Sequence, residues 1–162
     1  MSSNHRVVDA TPEQVWEVLS DGWLYPLWVV GASRMREVDA TWPAAGSHLH
    51  HSVGSWPFLL DDSTEVLESE PGAKIVLKAR GWPAGEAKVT VVLTPHRPTG
   101  TGAGVETVQT DVQTDVEIRE QAVSGPGVLV PKPLQDPVLA WRNTEALRRL
   151  AYLAERRQQR PR

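Results

Sequence analysis

Apolar and polar residues alternate with a period of two over three separate stretches of the chain. In 74–80, Ile75, Leu77 and Ala79 take one side, and Lys74, Lys78 and Arg80 the other. In 86–94, Ala87, Val89, Val91 and Leu93 share a side. In 105–120, Val108, Thr110, Val112, Thr114, Val116 and Ile118 alternate with Gln109, Asp111, Gln113, Asp115 and Glu117. Alternation rich in Val and Thr marks half-buried strands. Further extended stretches at 4–9, 34–40, 47–53 and 58–69 are bounded by turn residues such as Pro43/Gly46, Gly54 and Pro71-Gly72. Turn signals at these intervals predict an antiparallel meander.

Two segments follow the helical period instead. Thr11-Pro12-Glu13-Gln14 supplies an N-cap, a proline at the first helical position and a capping-box glutamine. Val15, Val18 and Leu19 continue at helical spacing until Ser20-Asp21-Gly22, and a short second helix is predicted over 23–28. From 134 to 157, Leu134, Val138 and Trp141 form an early stripe, and Leu139, Ala146, Leu147, Leu150, Leu153 and Ala154 a later one. That helix would run about 36 Å. Drawn out flat, the strand 105–120 would reach about 53 Å, whereas a compact domain of this size is about 39 Å across. The strand must bend, so the sheet is expected to curve, with a bulge or break along it. A curved sheet gripping a long helix leaves a space wherever the side chains between them are too small to fill it.

Composition narrows the picture. The 162 residues suit one domain, predicted over 1–157, with 158–162 as a frayed basic tail. With 40% apolar residues and a net charge of −3, the chain matches neither a disordered segment nor a nucleic-acid binder charged over its whole surface. The absence of cysteine excludes disulfides, thiol nucleophiles and cysteine-ligated metals. Six arginines against Glu155 make 148–162 basic, which suits the negative end of a helix dipole and a solvated helix end. The most apolar stretch, 23–32, contains Pro26 and is too short to span a bilayer, and the first nine residues lack a signal pattern. The expectation is a cytoplasmic monomer or homodimer, with no nucleic-acid partner and no stable membrane insertion. Seven Trp against two Tyr and one Phe is a lopsided tally, and it suggests rings that line a space.

The order strand, capped helix, short helix, meander and long helix resembles the helix-grip fold of the START-like (SRPBCC) superfamily, the polyketide cyclase/dehydrase and lipid-transport group. The resemblance rests on Ala10-Thr11-Pro12-Glu13-Gln14-Val15-Trp16, Leu19-Ser20-Asp21 and Tyr25-Pro26-Leu27-Trp28. It continues in Val66-Leu67-Glu68-Ser69-Glu70-Pro71-Gly72 and in Arg142-Asn143-Thr144-Glu145-Ala146-Leu147-Arg148-Arg149-Leu150. It implies an α+β fold in which a curved antiparallel sheet of about seven strands wraps a long C-terminal helix, with two short helices after the first strand. It further implies a cavity between sheet and helix for a small hydrophobic or amphipathic ligand, of lipid, polyketide or isoprenoid type. No position matches a cyclase active-site motif, and no cofactor is implied.

Candidate chemistry is sparse. His48 and His50 share one strand face, with His51 opposite; two imidazoles on a sheet face are read as polar lining rather than as a metal site. Asp61, Asp62 and Glu65 read as solvated charges, Arg80 as facing solvent, and Glu106 and Arg142 as the polar groups to watch if their faces turn inward. No nucleophile elbow or phosphate loop is present. The expected ligand-binding residues are Trp23, Tyr25, Trp28, Trp56, Phe58, Trp82, Leu134, Val138 and Trp141, whereas Trp42 lies in a Pro/Gly turn. Two readings stand: a ligand-binding protein, or a cyclase/dehydratase-type enzyme using His48 or His50 with an acid or Arg142 as general acid/base. A partner-binding module gains little from the acid-rich outward face of 105–120.

Overall fold

A computed structural model describes residues 2–54, 57, 59–81, 85–96, 112–125 and 132–158. Strand β1 (Ser2–Val8) leads into helix α1 (Pro12–Leu19), a 3₁₀ turn at Gly22–Leu24 and the one-turn helix α2 (Tyr25–Trp28). Strands β2 (Ala32–Val38), β3 (His48–Val53), β4 (Leu60–Glu70), β5 (Lys74–Gly81), β6 (Gly85–His96) and β7 (Gln113–Ser124) follow, and helix α3 (Lys132–Gln158) completes the order. The seven strands form one antiparallel sheet in the order β1-β7-β6-β5-β4-β3-β2. This is the helix-grip architecture.

Local chemistry accounts for the element boundaries. The Thr11 hydroxyl accepts from the Gln14 backbone N–H at 3.3 Å, and Gln14 Oε1 accepts from the Thr11 N–H at 2.9 Å, closing the capping box at the start of α1. The Asp21 carboxylate accepts from the Trp23 N–H at 3.2 Å and starts the 3₁₀ turn. Curvature comes from single extra residues on one strand of a pair: Ser33 and Arg36 on β2, Leu67 on β4 and Val123 on β7. In the described part of β7 the irregularity thus falls at Val123, past the 105–120 stretch where a bend was expected; 105–111 lie outside the described residues. Gly85 opens β6 at φ +111°, and a Cβ there would fall 1.9 Å from the Ser124 carbonyl oxygen. Only glycine lets β6 approach β7 so closely at that corner.

The inward faces are those the alternation predicts. Leu49, Val66, Ile75, Leu77, Val91, Leu93, Val116 and Ile118 are buried, and they meet Val8, Val15, Val18, Leu147, Leu150, Ala151 and Ala154 from β1, α1 and α3. The outward face carries ion pairs such as Lys78–Glu65 at 2.8 Å and Lys74–Glu70 at 2.8 Å. Near the C-terminal end of α3, Arg157 reaches Asp21 at 3.5 Å and donates to the Glu17 carbonyl at 3.3 Å, so this part of the basic end is held against the body, while Arg156 lies 4.5 Å over the Tyr152 ring of the same helix. No helix among the described residues is long and apolar enough to cross a membrane.

Candidate functional site

The core does not fill the whole grip. Between the first half of α3 and the sheet lies a cavity of about 630 Å³, within the range of small-molecule sites. Its floor is Leu77, Ala79, Ala87, Val89, Ile118 and Ala122, side chains from the inward faces of β5, β6 and β7. Several of these are small, which is why the floor stays clear of the helix. Tyr25 and Trp28 form a wall on the α2 side, their rings edge to face with centroids 5.5 Å apart. Leu139, Arg142, Asn143 and Ala146 come from α3, spaced three and four residues apart so that one helix face looks down into the space.

Polar groups gather within this apolar enclosure. The Tyr25 hydroxyl is 3.0 Å from Thr64 Oγ1, and its ring centroid is 5.2 Å from that of His51. His51 pairs directly with Asp62 across β3 and β4, so both side chains stand on the inward face. Arg142 donates to Glu120 Oε1, and Glu120 is 3% exposed. Among the described residues, four buried atoms have no hydrogen-bond partner: His51 Nδ1, Asp62 Oδ2, Glu120 Oε2 and Asn143 Nδ2. Buried polar atoms normally find partners, and three of these belong to side chains that line the cavity, His51, Glu120 and Asn143, so the lining is built to receive something.

Burial also sets the protonation states here. The Tyr25 phenol is pushed up to about 12 by desolvation, only partly offset by its hydrogen bond to Thr64. The His51 imidazole is pushed below the ordinary histidine value, again by desolvation first, with Asp62 opposing. At neutral pH the cavity therefore presents a neutral phenol and a neutral imidazole.

The sequence-predicted residues fall into separate groups. Tyr25, Trp28, Val138 and Arg142 line the cavity. His48 and His50 do not: their rings stack 6.4 Å apart on the opposite face of β3, with His48 beside Asp39. The imidazole at the cavity is His51, on the same strand parity as buried Leu49. Trp23 and Trp141 are 59% and 65% exposed and lie outside the lining. Leu134 belongs to the opening turns of α3. Trp56, Phe58, Trp82 and Glu106 lie outside the described residues. Asp62, expected among solvated charges, is buried, because it shares the inward parity of Thr64 and Val66; Asp61 keeps to the surface beside Arg36 at 3.3 Å. Arg80, expected in solvent, is exposed but stands at the cavity rim, 3.3 Å from Glu86. Trp42 lies in its turn yet packs on the core, its indole N–H donating to the Leu19 carbonyl at 3.3 Å. Among the described residues no three His, Asp or Glu side chains converge as a metal-ligand set.

Glu120 and Asn143 were not among the expected site residues, although the signal for each is in the sequence. Glu120 continues the inward parity of Val116 and Ile118 by one step. Asn143, with Arg142, fills the polar gap in the later α3 stripe between Leu139 and Ala146.

Comparison with known proteins agrees with this geometry. A family described as polyketide cyclase / dehydrase and lipid transport matches residues 2–155. No curated protein matches the chain. Among solved structures, the di-domain ARO/CYC StfQ from the steffimycin biosynthetic pathway superposes with a TM-score of 0.65 at 14% identity, covering 96% of this chain and 50% of that one. Protein SA2116 from Staphylococcus aureus, of unknown function, gives 0.64 at 11% identity, covering 98% and 94%. Protein CV1439 from Chromobacterium violaceum gives 0.57 at 19% identity, covering 93% and 94%. At these identities the likeness to solved structures is one of fold.

Proposed function

The chain belongs to the polyketide cyclase/dehydrase and lipid-transport family, and on that premise we propose that it binds a small amphipathic molecule in the cavity between β5–β7 and the first half of α3. The observation that carries this reading is the cavity itself, about 630 Å³ with an apolar floor and a cluster of unpartnered buried polar atoms at its edge. An apolar body displaces water from the floor at roughly 25 cal/mol per Å² buried. A polar end group supplies the missing hydrogen bonds. Native mass spectrometry of delipidated protein against a panel of lipids, polyketides and isoprenoids tests the reading: one-to-one complexes that disappear when Ala79→Leu fills the floor support it, and no uptake by folded protein overturns it.

A second reading is favoured by one feature, the unpartnered, neutral His51 beside Tyr25 and Asp62. A neutral imidazole at a water-poor site can take a proton from a carbon flanked by carbonyls, and the protonated Tyr25 can donate to the developing oxyanion. Intramolecular aldol closure and loss of water would follow, which is cyclase/dehydratase chemistry. Incubation with a linear poly-β-ketone mimic, followed by aromatic absorbance, tests it; turnover unchanged in His51→Asn would remove the imidazole from any role.

A further inference from the structure

The binding reading leaves open which head group the cavity accepts, and the inference that follows rests on that reading. The orphaned atoms are not equivalent in what they can exchange with a ligand. His51 can donate or accept according to tautomer, and the Asn143 amide can rotate to offer either its oxygen or its nitrogen. Glu120 Oε2 has no such freedom, because a carboxylate held by a guanidinium can only accept. Asp62 Oδ2 accepts likewise, its other oxygen being already engaged by the Ser63 N–H at 2.7 Å. Beside Glu120, Arg142 can only donate, and its side chain remains 41% exposed while Glu120 is buried. Charge balance points the same way. Two ion pairs, Arg142–Glu120 and Arg80–Glu86, line the cavity with a neutral histidine, so a second anion would meet guanidiniums whose charges carboxylates already offset.

We infer that the Glu120–Arg142 pair selects a neutral hydroxyl head group, one that donates to Glu120 Oε2 and accepts from the Arg142 guanidinium. A hydroxyl is the smallest group that does both at one atom. A carboxylate satisfies Arg142 but sets its oxygens against Glu120 Oε2. An ammonium satisfies Glu120 but meets the guanidinium charge. A site built to hydrogen-bond a hydroxyl discriminates strongly, because the wrong group leaves its own buried atoms unpaired.

Three probes of equal chain length decide the matter: dodecanol, dodecanoate and dodecylamine, titrated into the delipidated full chain at neutral pH and followed by calorimetry. The expected result is dodecanol binding at least tenfold more tightly than either charged probe, with the preference over dodecanoate reduced at least threefold in Glu120→Gln, where an amide can donate to the acid. Dodecanoate or dodecylamine binding as tightly as dodecanol overturns the inference and leaves the cavity reading standing. Uptake of none of the three by folded protein overturns both. Where Glu120→Gln fails to fold, Arg142→Lys replaces it: the point charge keeps the pair but loses the planar donor fork, and dodecanol affinity is expected to fall at least threefold; unchanged affinity overturns the inference.

Discussion

Along its C-terminal half, α3 buries Leu147, Leu150, Ala151 and Ala154 against β1 and α1, whereas along its N-terminal half the same helix stands over an open cavity. Small residues occur in both halves. At the closed end, Ala151 and Ala154 on α3 let α1 come close, and the apolar side chains of α1 fill the room. At the open end, Ala79, Ala87 and Ala122 on the sheet and Ala146 on the helix face each other without an intervening helix, and the room stays empty. A small side chain therefore makes close packing or a void according to whether another element is present to take up the space. The grip fold needs both halves: the solid end holds helix to sheet, and the open end is held apart by it.

The contrast predicts unequal answers to matched substitutions. Leu150→Ala at the closed end should cost about 2–5 kcal/mol of stability in urea unfolding, since nothing can collapse into the hole; a loss below about 1 kcal/mol would mean that this end is not solidly packed. Ala154→Leu should cost about 1–3 kcal/mol by overpacking, while Ala79→Leu at the open end should change stability by less than about 1 kcal/mol and abolish ligand uptake. Equal costs at both positions would erase the distinction between the halves. Tyr25→Phe, at the border, should cost about 1 kcal/mol by leaving Thr64 without its partner.

Tyr25 also carries a pH signature. Its phenol ionises near 10 when unfolded and at about 12 when folded, so the unfolded state loses its proton first and stability falls as pH rises through that window. The Phe variant should lack this alkaline loss. For His51 the sign is reversed on the acid side: the unfolded state takes up a proton before the folded one, so stability is lost as pH falls below the ordinary histidine range. His51→Gln should flatten that limb in a Tm-against-pH series. The smallest effect is expected at Trp141→Ala, within about 0.5 kcal/mol and with ligand uptake unchanged, because the ring faces solvent.

Most of the fold was legible because alternation, capping and turn residues act locally. The parity of 74–80 and 86–94, the Thr11–Gln14 box and the Leu139–Ala154 stripe each recur in the structure. The cavity was legible only as a space. Its polar residues are hidden from hydrophobic patterning by their own chemistry: His51, Asp62, Glu120 and Asn143 sit at inward positions where an apolar residue is expected, and each reads as a surface group when type is weighed above parity. The tryptophan tally misplaced two rings for a related reason. Trp141 continues the helical stripe of Val138, but the face turned to the sheet is centred on Leu139, Arg142, Asn143 and Ala146, with Val138 at its margin and Trp141 about 150° from its centre. Polar residues on the working face break the pattern that would otherwise mark it.

The strand order has a consequence in time. Because β1 pairs with β7, Ser2 opposite Glu120, the first strand waits for the last before it has a neighbour, and the inner face of the sheet waits longer still for α3. During synthesis β2 to β6 can pair as successive hairpins while their apolar side remains uncovered, and cooperative closure comes only when the final helix arrives. The apolar floor of the cavity is therefore among the last surfaces of the protein to be covered, and it stays open to water until α3 docks.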